Sequence, residues 1–274
     1  MRTEVRILQF SDPECRDAAI AGGKGAGLAT MTAIGMRVPP GFVIAADALA
    51  QAVDTGKLRA LAVADDHEAA RRLVLRAEPP RAAIAKAYER LGGKVAVRSS
   101  ACAEDSKTAS YAGQLETYLN VEGADEIARR VVDCWASFFA ERALFYRDRK
   151  GSLDDVGMAV VVQQMVEPEK AGVLFTMDPV NRRRDRMIVE ATFGPGERVV
   201  SGEVTPDHYV VDRRGILKRS RTVGDGPVLE SNEFGDIVEK GTRLEEHFGG
   251  PQDIEWAMVG GTLYLLQCRP VTTL

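Results

Sequence analysis

Residues 20–28 read Ile20-Ala-Gly-Gly-Lys-Gly-Ala-Gly-Leu28, "IAGGKGAGL", four glycines around Lys24. A P-loop needs G-x-x-x-x-G-K-[ST], with the hydroxyl of the last residue reaching a metal ion. Here Gly25 follows Lys24, and Ala18 stands where the first glycine belongs. The dinucleotide pattern G-x-G-x-x-G fails as well: the spacing is wrong, and no acidic residue ends a strand about 20 positions on. What is left is a glycine loop with one cation. It suits phosphate oxygens at a helix N-terminus, and it suits an ordinary loop-to-helix turn equally. The rest of the chain has to separate the two.

The 274 residues are 45% hydrophobic and 28% charged, in the range of a globular protein of one large domain or two lobes. A net charge of −4 argues against nucleic acid as a partner, which requires a basic footprint. The arginine run in "NRRRDR" lies between two strand-like segments and reads as a solvated hairpin loop. No apolar run approaches the ~18 residues of a membrane span. The segment "MRTEVRILQF" is too polar for a signal peptide. Cys15, Cys102, Cys134 and Cys268 lack C-x-x-C spacing and read as free thiols in a reducing cytoplasm. His67, His208 and His247 form no ligand pair, so zinc is not expected.

The first half reads as α/β. A strand "EVRILQF" precedes the glycine loop, and residues 24–35 carry Leu28, Met31 and Ile34 at helical spacing. Pro39-Pro40-Gly41 turns the chain into an apolar strand. Residues 46–91 read as helices interrupted at Pro79-Pro80, followed by the strand "KVAVRSS" and an amphipathic helix over 124–147. The second half is β-rich: "VGMAVVVQQMV", "AGVLFTM", "RMIVEATFG", "HYVVD" and "GILKRS", then a helix near 236–247 and two closing strands joined at Gly260-Gly261. The expected architecture is an α/β first lobe, 1–162, and a mostly antiparallel second lobe, 163–274.

Three features point to a nucleotide–Mg²⁺ cleft between these lobes. Lys24 supplies a cation among unhindered backbone N–H groups. Arg98 ends a strand that reads as apolar on both faces, where a charge commonly borders a cleft. In the last two strands Asp253 and Glu255 share a face, as do Gln267 and Arg269. A carboxylate and an amide oxygen suit Mg²⁺, and the guanidinium suits phosphate. The competing reading is a structural polar cluster, although polar residues on the inner face of a hairpin are costly unless they bind something.

Five blocks, in order, carry a resemblance: "GGKGAGLATM…GMRVPPGFVI", "VAVRSSACAEDSKTASYAGQLETYLNV", "VVVQQMV…AGVLFTMDPV", "IVEATFGPGERVVSGEVTPDHYVVD" and "DIEWA…LYLLQCRPVT". Together they resemble the ATP-binding domain of phosphoenolpyruvate synthase, pyruvate phosphate dikinase and rifampicin phosphotransferase, nearly end to end. The resemblance implies a two-lobed ATP-grasp-type fold of mixed α/β (α+β) class, with ATP and Mg²⁺ as cofactors. By motif match, Lys24 and Arg98 contact phosphates. Ala109–Gly113 forms a glycine lid, with Gly113, Thr117 and Tyr118 at the nucleotide. Gln163, Met165 and Val166 receive the adenine. Asp253 supports the site, Glu255 and Gln267 hold Mg²⁺, and Arg269 binds the transferring phosphates. Lys24, Arg98 and Arg269 are then the catalytic set. Cys102 stands where family sequences usually carry threonine, a small change.

The resemblance also implies a histidine that accepts phosphate from ATP, in a Gly-Gly-x-x-Ser/Thr-His context, and none of the three histidines has that context. The expectation is therefore a phosphotransferase module that phosphorylates a histidine on a separate protein or domain, for onward transfer to a small-molecule acceptor. A non-catalytic ATP sensor and a stand-alone ATP-grasp ligase are the alternatives.

Overall fold

In the computed structural model, residues 5–64, 66–102, 116–141, 157–196, 199 and 202–271 are described. They divide into two compact units: Met1–Thr30 with Pro40–Met165, and Met31–Pro39 with Val166–Leu274. The mixed α/β class read from the sequence is the one observed.

The first unit holds a five-stranded sheet of β1 (Ile7–Gln9), β2 (Gly41–Ile44), β3 (Val95–Ala101), β4 (Thr117–Val121) and β5 (Met158–Gln164), in the order β1-β2-β5-β3-β4. Every neighbouring pair is antiparallel. Its helices are α1 (Ala18–Ala33, whose last three residues fall in the second unit), α2 (Asp47–Ala52), α3 (Thr55–Val63), α4 (His67–Val74), α5 (Arg81–Leu91) and α6 (Ala124–Glu141). The amphipathic reading of α6 holds. Ile127, Val131 and Trp135 are buried, while Asp125 and Glu126 occupy its first turn, where carboxylates complement the helix dipole. Trp135 donates from Nε1 to the carbonyl of Met158 at 3.2 Å, which satisfies the one polar atom of a fully buried indole. Each such side chain contributes about 1.5–3 kcal/mol by leaving water. The core lies on one face of the sheet, where Val95, Val97, Val160 and Val162 meet α6. That leaves alternate residues of β3 and β5 for the other face.

The second unit is built on a six-stranded antiparallel sheet. Its strands are β6 (Lys170–Phe175), β7 (Arg186–Phe193), β8 (Asp207–Asp212), β9 (Leu217–Arg221), β10 (Gln252–Val259) and β11 (Thr262–Pro270), ordered β11-β10-β6-β7-β8-β9. Helix α7 (Glu233–Phe248) packs on β6 and β10 and buries Phe234, Ile237, Val238 and Leu244. It ends at Gly249, whose left-handed φ of 73° lets its N–H reach the Glu245 carbonyl at 2.9 Å. A Cβ at Gly241 would lie 2.5 Å from Leu174 Cδ2, so the leucine side chain would have to shift to admit one.

The division differs from the sequence reading in two respects. Strand β5 runs through Gln164 within the first sheet, so the change of unit falls after Met165 rather than before Gln163. Residues 31–39 join the second unit, where the Arg37 carbonyl accepts from Leu265 N–H at 2.9 Å and the Ile34 carbonyl accepts from Arg243 Nη2 at 3.1 Å.

Candidate functional site

In the first unit the chain from Ala18 to Ala33 is helical on both sides of Gly22, which interrupts it with φ 68° and ψ 171°. The break begins a new helix at Gly23, so Lys24 stands in a first turn, where backbone N–H groups lack intrahelical partners. Gly22 is required twice over. Its φ favours glycine, and a Cβ would lie 2.2 Å from the Ser100 carbonyl oxygen. Ser100 is fully buried on β3 and reaches back to the loop: its Oγ accepts from Gly25 N–H at 3.1 Å and donates to the Ala21 carbonyl at 2.8 Å.

Strand alternation then places Arg98 on the face that Ser100 occupies, away from the Val95 and Val97 core. Thr117 on β4 and Val161 on β5 stand directly opposite Arg98. Gln163, two residues beyond Val161, shares that face and is buried. Lys24's loop, Arg98, Thr117 and Gln163 thus belong to one side of one sheet. Tyr118 does not. It pairs with Val97, and its ring lies under the Arg130 guanidinium of α6, 4.7 Å from the centroid. Burial raises its hydroxyl pKa to about 12. The period of two that brings Thr117 to Arg98 sends Tyr118 to the helix side. Met165 follows the end of β5 and gives its N–H to the Lys94 carbonyl at 2.9 Å, and Val166 begins the second unit. Gly113 and the stretch Ala109–Gly113 lie outside the described residues.

In the second unit Asp253 and Arg269 are cross-strand partners, as are Glu255 and Gln267. Arg269 donates to Asp253 Oδ2 from Nε at 2.8 Å and Nη2 at 2.7 Å. Burial raises the Asp253 pKa despite Arg269 beside it, and the charges of Glu255 and Glu190 push it further up. The pairing depends on a bulge. Strict alternation along β11 would put Leu263, Leu265, Gln267 and Arg269 on one face. The register shifts by one residue at Leu266, so that Leu265 pairs with Trp256 and Gln267 with Glu255.

Two participants were not singled out from sequence. Ser100 reads there as part of a polar strand end. Glu190 lies on β7 opposite Val173 of β6, which in turn lies opposite Glu255. It therefore shares the Asp253–Glu255 face, and His208 of β8 sits beside it, Nδ1 to Oε1 3.5 Å. The available signal was one acidic residue in the otherwise apolar run "MIVEA".

Glu255 and Gln267 offer a carboxylate and an amide oxygen side by side, hard donors that fit Mg²⁺, an ion that takes only one or two protein ligands and completes its shell with water and phosphate. No group of three or more His, Cys, Asp or Glu among the described residues is placed to hold a metal ion. No described helix is long and apolar enough to cross a membrane. All four cysteines are free.

The lysine loop at a helix N-terminus in the first unit, and the hairpin pairing Glu with Gln and Asp with Arg in the second, belong to a domain of mixed α/β class. The chain belongs to the family of the pyruvate phosphate dikinase AMP/ATP-binding domain, whose model matches residues 18–228 and 218–274. The phosphoenolpyruvate synthase of Pyrococcus furiosus is 35% identical over 98% of this chain. A rifampicin phosphotransferase of Streptomyces sviceus is 42% identical over 99% of it. The chain spans 44% and 36% of the length of these two relatives. Among solved structures it resembles a biotin carboxylase from Campylobacter jejuni, with 14% identity, a TM-score of 0.43 and coverage of 95% of this chain and 42% of that one. It also resembles a D-alanine–D-alanine ligase from Bacillus anthracis complexed with ATP, with 8% identity, a TM-score of 0.42 and coverage of 95% and 57%. Likeness at that level adds nothing to the family assignment.

Proposed function

We propose that this domain binds ATP with Mg²⁺ and activates it for attack by a histidine on a separate domain or subunit: the histidine nitrogen bonds to the β-phosphorus as the bond to the AMP oxygen breaks and AMP leaves, the terminal phosphate is then lost to water or inorganic phosphate, and the phosphate kept on the histidine passes to a small-molecule acceptor. The observation that carries the reading is the register of β10 and β11, which sets Glu255 opposite Gln267 and Arg269 opposite Asp253. In phosphoryl transfer the protein's task is chiefly positioning and charge neutralisation. Lys24 and Arg98 hold phosphate oxygens; Thr117, opposite Arg98 on β4, and, by the family resemblance alone, Gly113 take nucleotide-binding roles. Gln163, Met165 and Val166 receive the adenine. Glu255 and Gln267 hold Mg²⁺, which when bound neutralises phosphate charge. Arg269, oriented by Asp253, offers two parallel N–H groups to the phosphoryl being transferred. Tyr118, directed to α6, supports β4 rather than touching nucleotide. The relatives' names, phosphoenolpyruvate synthase and rifampicin phosphotransferase, agree with transfer to a small molecule.

The test uses ATP labelled at the β or the γ position. Alone with Mg²⁺ and ATP, the chain is expected to release little AMP and to keep no phosphate label, because in-line transfer needs a nucleophile close to the phosphorus. A protein carrying the phosphohistidine domain, added in trans, should acquire the label as AMP forms. Phosphohistidine on His67, His208 or His247 with turnover by this chain alone would overturn the two-component reading. Tight Mg²⁺–ATP binding with no label on any such partner would favour a nucleotide sensor.

A further inference from the structure

The glycines around Lys24 do little to hold its loop, although Ala21, Ala26 and Leu28 are buried beside them. Gly22, Gly23, Gly25 and Gly27 give it no side-chain packing, and glycine carries the largest conformational entropy of any residue. A cation presented on such a loop is useful only if something outside the loop restricts it. The structure supplies this from β3. Ser100 Oγ takes the Gly25 N–H and gives its hydrogen to the Ala21 carbonyl, so a single buried side chain bridges both sides of Lys24. One turn of strand further, Cys102 Sγ donates to the Ala19 carbonyl at 3.4 Å. The Ser100 backbone fits against Gly22 so closely that no side chain could stand there. Arg98 precedes Ser100 by two residues on the same face.

We propose that Ser100 is a positioning residue for Lys24: it fastens the lysine loop to the strand that carries Arg98, so that the two phosphate-binding cations are presented at a set spacing. The proposal rests on the ATP-binding reading above. It makes β3 a template on which alternate residues act together, Arg98 on phosphate and Ser100 on the loop, with Cys102 as a weaker second anchor.

A double-mutant cycle tests it on the whole chain, with Mg²⁺–ATP and adenosine affinities measured by displacement of a fluorescent nucleotide. Lys24→Ala should weaken Mg²⁺–ATP and spare adenosine, which has no phosphate. Ser100→Ala should do the same, by about tenfold, the equivalent of one lost hydrogen-bonded constraint. On the Lys24→Ala background it should cost nothing further, because the group it positions is gone. If circular dichroism shows Ser100→Ala to be unfolded, the isosteric Ser100→Cys takes its place in the cycle. An equal loss for adenosine and Mg²⁺–ATP, an additive loss on the Lys24→Ala background, or unchanged Mg²⁺–ATP affinity in the serine variant would each overturn the proposal. Absence of Mg²⁺–ATP affinity in the wild-type chain would instead overturn the proposed function on which it rests.

Discussion

Arg269 and Asp253 face each other across β10 and β11, and both guanidinium donors, Nε and Nη2, converge on one carboxylate oxygen, Oδ2. Lysine, with one ammonium on a flexible stem, cannot reproduce that fork or the fixed plane it imposes. Under the proposed function, Arg269→Lys should keep ATP affinity within about threefold and lose at least about a hundredfold in partner phosphorylation, the pattern of a group acting mainly in the transition state. Asp253→Asn should show a smaller loss of the same kind. Single-turnover labelling beside equilibrium binding checks both, and comparable losses in affinity and rate for Arg269→Lys would refute the assignment.

Glu255 and Gln267 are directly opposed, and Glu255 carries the negative charge of the pair. Glu255→Ala should therefore weaken Mg²⁺-dependent ATP binding more than Asp253→Asn, because Asp253 is already engaged by Arg269. Calorimetric titrations across Mg²⁺ concentrations give the order, and a reversed order would remove Glu255 as the metal ligand.

The Tyr209 hydroxyl is a buried junction. It donates to Asp207 Oδ2 at 2.7 Å and accepts from Val228 N–H at 3.0 Å and Leu229 N–H at 3.2 Å. Val228 N–H also reaches Asp207, but Leu229 N–H would lose its side-chain acceptor. Tyr209→Phe should cost about 1–3 kcal/mol of stability, the penalty for stranding buried polar groups, with the T-shaped contact to Phe234 retained. Urea unfolding measures it. A variant as stable as wild type would show that water replaces the hydroxyl.

Asp212 closes the β8–β9 turn. Hydrogen bonds from Ile216 N–H, Lys218 and Arg214 N–H hold its pKa well below the usual aspartate range. A carboxyl whose folded pKa is depressed adds stability that is fully present above its unfolded pKa, near 3.9, and is lost as pH falls toward the folded value. Wild-type stability should therefore decline below about pH 4 partly through this group, and Asp212→Asn should flatten that part of the profile. Unfolding midpoints from pH 6 down to pH 2.5 for both proteins decide it, and parallel curves would exclude Asp212.

Much of this protein is legible in its residues taken in order, for reasons of local physical chemistry. The run "VAVRSS" shows a charge in an apolar strand, but it reads there as the strand's end, whereas β3 continues to Ala101 and its alternation sets Arg98 apart from the core valines. The helical spacing of Ile127, Val131 and Trp135 identifies the buried stripe of α6. The blocks around Lys24, Arg98, Asp253 and Arg269 identify the family. The tertiary structure decided what depends on non-local pairing. Tyr118 and Thr117 are adjacent in sequence, yet only the β3–β4 register shows that Thr117 joins Arg98 while Tyr118 turns to Arg130. Residues 31–39 precede a strand of the first sheet, but their carbonyls are taken by Arg243 and Leu265, more than 200 positions later. Period two along β11 would have grouped Gln267 with Leu265. The single-residue bulge at Leu266 separates them and puts Gln267 beside Glu255, because a one-residue slip in a strand exchanges its faces. The sequence reading already groups the four polar residues Asp253, Glu255, Gln267 and Arg269; the bulge that their pairing requires, once the leucines are set against Trp256 and Met258, appears only in the register.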